Sequence, residues 1–199
     1  MGNAAGRSAR ALFESIDTST LIGLRDRALI ALMAHAFARI RAVVARRVAD
    51  YRANGERWWA RLHEKGGKLH EMPPHHKPEA YLDDYIREAG LIDPKGPLFC
   101  AARGKTGELS TRKAMHQNDD YRMVRRRADK LGLKVNISCH TFRAPGITAH
   151  LEACGTLEAA QAMAAHAIPR TTKVYDRTRG ADRRPSWSRM ITLRDRISF

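Results

Sequence analysis

Between residues 48 and 72 the apolar residues stop recurring at every third or fourth position and begin to alternate, and two tight-turn signatures cut the stretch into three. Asn54-Gly55 is a strong short hairpin signal, since both central residues of a type I′ turn need positive φ. Lys65-Gly66-Gly67-Lys68 supplies the second turn, and Pro73-Pro74, which has no N–H to give to a ladder, closes the last strand. Residues 48–51, 57–62 and 69–72 are therefore predicted to form a small three-stranded antiparallel sheet. A sheet this small cannot stand alone, so the rest of the chain must cover it with helices.

Helical spacing on both sides of the sheet supplies that cover. Leu21, Leu24, Ala28, Leu29, Leu32 and Met33 share one face of an amphipathic helix, with Ser19 or Thr20 as its cap. A second apolar set, Ile40, Val43, Val44 and Val48, follows a break near Phe37, and Arg39 stands at the junction. Pro78 and Gly90 bracket a third helix through Tyr81, Leu82, Tyr85 and Ile86. Residues 97–100 read as a short strand, 103–110 as a loop, and 111–131 as a helix carrying Arg122, Arg125, Arg126 and Arg127. Two or three short helices, divided at Gly155 and at Ile168-Pro169, complete residues 140–175.

The predicted fold class is thus α+β, mainly helical with a small three-stranded antiparallel sheet. Residues 1–19 are expected to be a weakly ordered arm in which only Leu12, Phe13 and Ile16 keep helical spacing, enough for a short docking helix. Residues 20–178 would form the principal domain. The tail, 179–199, places Trp187, Met190, Ile191, Leu193 and Ile197 at intervals suited to a docking helix.

Charge narrows the choice of partner. The 36 Lys and Arg against 21 Asp and Glu leave a net charge of +15, and a compact domain with that excess repels itself unless it meets a polyanion. The cations are spread through helical and strand-like segments, which favours a binding face for nucleic acid over a basic tail. No apolar run approaches the ~20 residues of a membrane helix, and the N-terminus lacks the apolar core of a secretory signal. Cys100, Cys139 and Cys154 form no C-x-x-C pair, and reduced thiols in the cytoplasm are expected. Two weaker motifs are set aside. Gly104-Lys105-Thr106 lacks the earlier glycine of a phosphate loop, because that position is Phe99, and His63, His70, His75 and His76 have no compact zinc spacing.

The chemistry concentrates in residues 140–175, which hold His140-x-x-Arg143, His166 and Tyr175. A phenol with a pKa near 10 is a poor nucleophile at neutral pH, so a reactive tyrosine needs cations that stabilise its anion and the charge on its target. Arginine offers a permanent charge and a planar fork matched to two phosphate oxygens. Histidines can share protons with those oxygens, and a lysine at a turn tip can protonate a leaving oxygen. No carboxylate cluster of the metal-binding kind is evident, so a metal-free phosphoryl transfer with no cofactor is expected.

The ordered set Arg39, Lys65, His140-x-x-Arg143, His166 and Tyr175, with the Lys-Gly-Gly-Lys turn between two strands, HTFRAPGITAHLE and MAAHAIPRTTKVYDRT, resembles the catalytic domain of the tyrosine recombinases, or phage integrases. The resemblance runs from about Leu21 to Arg177 and implies site-specific recombination or integration of double-stranded DNA. It implies that Arg39 and Arg143 bind the scissile phosphate, Lys65 protonates the leaving oxygen, His140 and His166 assist, and Tyr175 attacks to give a 3′-phosphotyrosine. Lys68 rivals Lys65 for the general-acid role. Family members assemble as tetramers on DNA, which implies self-association there and no small-molecule substrate. A phage, plasmid or integrative element is the expected source.

Three positions depart from the family pattern. Ala42 stands where an acidic residue commonly follows the first arginine, Ala165 replaces the glycine before His166, and Pro145 lies just after Arg143. About twenty residues precede the first strong helix, too few for the family's separate N-terminal DNA-clamping domain. The alternative expectation is a DNA-binding remnant that keeps the basic face without catalysis.

Overall fold

The computed structural model describes residues 4–54, 57–63, 69–72, 76–104, 106–133, 139–152, 156–164 and 169–174. Lys65, Lys68, His166, Tyr175 and the tail at 179–199 lie outside the described residues. The described chain is mainly helical with small antiparallel β structure.

In the expected arm, the short docking helix forms as α1 (Ala4–Glu14), and Leu12, Phe13 and Ile16 are buried in the main core. The apolar spacing noted in the sequence was enough to dock this segment against later helices. Helix α2 (Leu21–Ala36) starts where the Thr20 hydroxyl accepts a hydrogen bond from the Gly23 N–H at 3.1 Å, which satisfies one of the first-turn donors. Ser19 instead bonds the Asp17 carboxylate. The apolar spacing of α2 predicts one buried face, but the helix is buried almost all round, because a later helix, α4 (His76–Glu88), and a later one still, α6 (Cys139–Glu152), both pack against it. Helix α3 (Ile40–Val44) follows, with Ala42, Val43 and Val44 turned inward.

The period-two stretch begins later than its pattern implied. Residues 48–50 form a 3-10 turn, closed by the Asp50 carboxylate accepting from the Arg47 N–H at 3.0 Å, so the first strand, β1, covers only Tyr51–Asn54. It pairs antiparallel with β2 (Arg57–His63), Asn54 opposite Arg57, and β2 pairs antiparallel with β3 (Leu69–Met72), His63 opposite Leu69. The two-residue gap between Asn54 and Arg57 is the hairpin length that Asn-Gly favours.

Pro78 sits in the first turn of α4, where a missing N–H costs nothing, and Gly90, at φ +60°, ends the segment in a conformation that other residues adopt only with strain. Leu82 and Tyr85 point into the core, where the Tyr85 ring lies parallel to Phe99 at 6.0 Å and its hydroxyl accepts from the Cys100 N–H at 3.2 Å.

Two expectations for the middle of the chain fail. Residues 97–100 do not form the strand expected there; β4 is Cys100–Ala102, and it pairs with β5 (Leu109–Ala114) in a separate two-stranded ribbon. The ribbon takes the residues expected to begin a long helix at 111, so that helix, α5, is confined to Gln117–Lys130. The run Leu109-Ser-Thr-Arg-Lys-Ala has no apolar stripe of helical period, and its backbone groups are satisfied by β4 instead. The last helices are α6, α7 (Leu157–Met163) and α8 (Pro169–Lys173), divided near the two predicted breaks.

Two apolar clusters hold this arrangement together. The larger joins α1, α2, α4, α5 and both flanks of the ribbon around Leu29, Leu82, Tyr85, Phe99 and Phe142. Among the described residues, the smaller gathers Ile147, Leu151, Ala160 and Ala164 from the α6 to α7 region around Phe37. Among the described residues, no helix is long and apolar enough to cross a membrane.

Candidate active site

Arg39 is the site residue whose side chain the structure describes. It is the N-terminal capping residue of α3, with extended backbone at φ −77° and ψ 143°, and its carbonyl accepts from the N–H groups of Ala42 and Val43 at 2.9 and 3.2 Å. The side chain is half-buried. The position three residues on, Ala42, is buried at 5% exposure within α3, so a carboxylate there would enter apolar surroundings.

The approach to Arg39 is sharply bent. Phe37 ends α2 in the left-handed region at φ 48° and ψ 25°, and it is the one non-glycine with positive φ among the described residues. For a bulky side chain that conformation costs roughly 1–2 kcal/mol and persists only where packing over-determines it. The packing is present. Phe37 is 3% exposed, its ring meets the His150 ring edge-on at 6.0 Å, and it lies in the smaller cluster with Ile147 and Leu151 of α6.

Gly146 is what lets α6 come so close. A Cβ there would clash with the Ala34 carbonyl oxygen and stand 2.8 Å from the Phe37 ring. Glycine therefore permits the backbone of α6 to cross the end of α2. Burial pushes the His150 imidazole below its ordinary value, and its Nε2 has no hydrogen-bond partner. A neutral ring packed on an aromatic edge suits that site.

His140 and Arg143 fall in the first two turns of α6, ahead of the crossing at Gly146. The fold thus brings the α2 to α3 junction, with Arg39, next to the helix that carries the His-x-x-Arg pair. Lys65 belongs to the β2 to β3 connection, His166 to the segment between α7 and α8, and Tyr175 follows Val174 just after α8; these three lie outside the described residues. Helices α7 and α8 pack together, and Arg170 and Lys173 are exposed on α8 beside that last segment. Pro145 is the seventh residue of α6, well past the first turn where its missing N–H would be harmless.

The basic residues divide into two groups. Arg122, Arg125, Arg126 and Lys130 are exposed on α5, and Arg112 and Lys113 on β5. Arg125 lies over the Tyr121 ring, 5.8 Å from its centroid, and donates to its hydroxyl at 3.2 Å. Arg127, by contrast, does not join the exposed set. It reaches inward to Asp26, which also accepts from Arg25, while Arg25 donates to the Cys100 carbonyl at 2.8 Å. Arg25-Asp26-Arg27, a charged run inside a mainly apolar helix, was the sequence signal for such a buried pair; nothing in the sequence showed that Phe37 and Gly146 meet. Among the described residues, no group of three or more His, Cys, Asp or Glu could hold a metal ion.

Comparison with known proteins accords with this architecture. The profile described as Phage integrase family matches residues 6–181. Tyrosine recombinase XerD of Corynebacterium glutamicum is 28% identical over 174 residues, covering 86% of this chain and 54% of that protein. Tyrosine recombinase XerD of Ralstonia nicotianae is 29% identical over 169 residues, covering 83% of this chain and 52% of that protein. The chain spans about half the length of these relatives. Among solved structures, the XerH site-specific recombinase bound to difH substrate in its pre-cleavage complex superposes with a TM-score of 0.69 at 19% identity, over 98% of this chain and 53% of that one. The chain belongs to the phage integrase family, as a tyrosine recombinase catalytic domain.

Proposed function

We propose that this domain carries out site-specific recombination or integration of double-stranded DNA by transesterification through tyrosine. In this reading the Tyr175 hydroxyl attacks the scissile phosphorus, the P–O5′ bond breaks, and the products are a 3′-phosphotyrosine and a free 5′ hydroxyl. Arg39 and Arg143 grip the non-bridging oxygens as the phosphorus becomes pentacoordinate. Lys65 delivers the proton that the leaving 5′ oxygen needs, and His140 and His166 take up or share protons at the phosphate. The phosphotyrosine keeps the energy of the broken diester, so attack by another 5′ hydroxyl rejoins DNA without ATP. Residues 20–178 would be the catalytic unit, working in the cytoplasm as self-associating copies on DNA.

The observation that carries this reading is the junction of Arg39 with the helix bearing His140 and Arg143, made through Phe37 and Gly146. Support for DNA as the partner comes from the +15 charge and from the exposed cations of α5 and β5. The XerH comparison structure is itself described as bound to its difH substrate.

The test is covalent capture. A pool of randomised duplexes carrying a nick, incubated with the full chain and then denatured, should yield a protein–DNA adduct that Tyr175→Phe abolishes while binding is kept. On the captured sequence, a 5′-phosphorothiolate, whose sulfur leaves without a proton, should rescue Lys65→Ala. Rescue of Lys68→Ala alone would move the general acid to that residue. The second reading, a DNA-binding remnant without catalysis, draws on the placement of Pro145 within α6 and predicts DNA binding with no adduct.

A further inference from the structure

Phe37 links the α2 to α3 junction to the smaller apolar cluster of α6 and α7. It is the member of the smaller apolar cluster that comes from the α2 to α3 junction, the others being Ile147, Leu151, Ala160 and Ala164. Two residues later stands Arg39, at the N-terminal cap of α3. Across the ring run α6, with His140 and Arg143 in its first turns, and α7, after which the chain reaches His166. The ring contacts the backbone of α6 at Gly146 so closely that not even a methyl group would fit between them. A left-handed aromatic residue is an unfavourable way to end a helix, and glycine would adopt the same backbone freely. What the ring adds over glycine is its packing against α6 and α7.

We propose that Phe37 is a positioning residue: its ring, wedged between the end of α2 and the α6 to α7 pair, fixes Arg39 relative to the helix that carries Arg143. The inference rests on the assignment of Arg39 to the scissile phosphate. Phe37 touches no DNA in this scheme and acts through Arg39. Its loss should slow cleavage far more than it weakens DNA binding, which should change by no more than about one phosphate contact.

The variant Phe37→Gly keeps the left-handed backbone and removes the ring. With the captured nicked duplex as substrate, its rate of adduct formation should fall about 10²-fold, the effect of misplacing a group at a reacting centre by around 1 Å. Phe37→Met, which fills much of the same space, should recover most of that rate. In an Arg39→Ala background, Phe37→Gly should add no further loss. A methylphosphonate at the scissile position, which removes one phosphate charge, should shrink the defects of Phe37→Gly and Arg39→Ala alike. An unchanged rate for Phe37→Gly, or an undiminished extra loss on top of Arg39→Ala, overturns the proposal. Should Phe37→Gly not fold by circular dichroism, Phe37→Leu, shorter than the ring, carries the same comparison. Absence of any adduct from the wild-type chain refutes catalysis rather than positioning. Positioning is then read from DNA binding: Phe37→Gly and Arg39→Ala should each lower the slope of log K against log salt by about one phosphate contact, and an unaltered slope in Phe37→Gly alone overturns it.

Discussion

Arg127 of α5 reaches across to Asp26 of α2, its Nε and Nη2 donating to Oδ2 at 3.2 and 2.6 Å, while Arg25 donates to the other oxygen, Oδ1, at 3.0 and 2.7 Å. Asp26 is 1% exposed and Arg127 21%. One buried carboxylate therefore ties together two helices that are 101 residues apart in sequence.

Removing that carboxylate should be costly. Asp26→Ala leaves two guanidinium groups without their anion, one of them wholly buried, and should destabilise the fold by about 3–5 kcal/mol. Denaturant unfolding would measure it. Arg127→Ala removes the less buried partner and should cost less than Arg25→Ala, and the reverse order would make Arg25 the dispensable cation.

Gly146→Ala inserts a methyl group against the Ala34 carbonyl and the Phe37 ring. Both neighbours are held by the core, so α6 must shift. A loss of about 1–3 kcal/mol is expected, as for other overpacked sites, seen as a lower midpoint in thermal unfolding. An unchanged midpoint would place the crossing of α2 and α6 elsewhere.

Pro145→Ala should work in the opposite direction. At the seventh position of α6 a proline withholds the N–H that would bond the Thr141 carbonyl. Restoring it should stabilise the protein by up to about 3 kcal/mol in guanidinium unfolding. If adduct formation falls in the same variant, the irregularity at Pro145 is part of the site's shape and not a sign of decay.

His150 gives a pH signature. Burial holds its folded pKa below the ordinary 6.5, so the unfolded chain binds the proton first as pH falls. Its contribution is therefore a loss of stability that begins near pH 6.5 and levels off once pH passes below the folded value. His150→Phe should flatten that part of the stability profile while leaving it unaltered above about pH 8. A profile identical to wild type would mean that the ring titrates as if in water.

The exposed arginines of α5 should act as phosphate contacts. Arg122→Ala and Arg126→Ala are each expected to weaken binding to duplex DNA of any sequence, lowering the salt slope by up to about one. Arg127→Ala, facing Asp26, should leave the slope alone while lowering stability. Fluorescence anisotropy across a salt series separates the two outcomes.

Much of the local architecture was legible in the residues. Asn54-Gly55 and Pro73-Pro74 marked the strands of the hairpin region, Thr20 marked the start of α2, and Pro78 with Gly90 bracketed α4, because each constrains φ or a backbone donor over only a few residues. Local pattern is insufficient where partners distant in sequence decide. Residues 111–114 pair with β4 instead of starting α5, residues 48–50 coil before β1 begins, and residues 4–14 are ordered by helices that come much later in the chain.

The candidate site divides in the same way. Its chemical inventory, arginines and histidines around a tyrosine in a strongly basic chain, is a property of residue identity and order, and the sequence by itself determined it. Whether Arg39 stands beside the helix of His140 and Arg143 depends on how closely two helices cross, and that is decided by volume: the missing Cβ of Gly146, and the Phe37 ring filling the space between α2 and the smaller core. Periodicity records which residues are apolar but not which backbones touch, so the close crossing of α2 and α6 beside Arg39 was decided only in the tertiary structure.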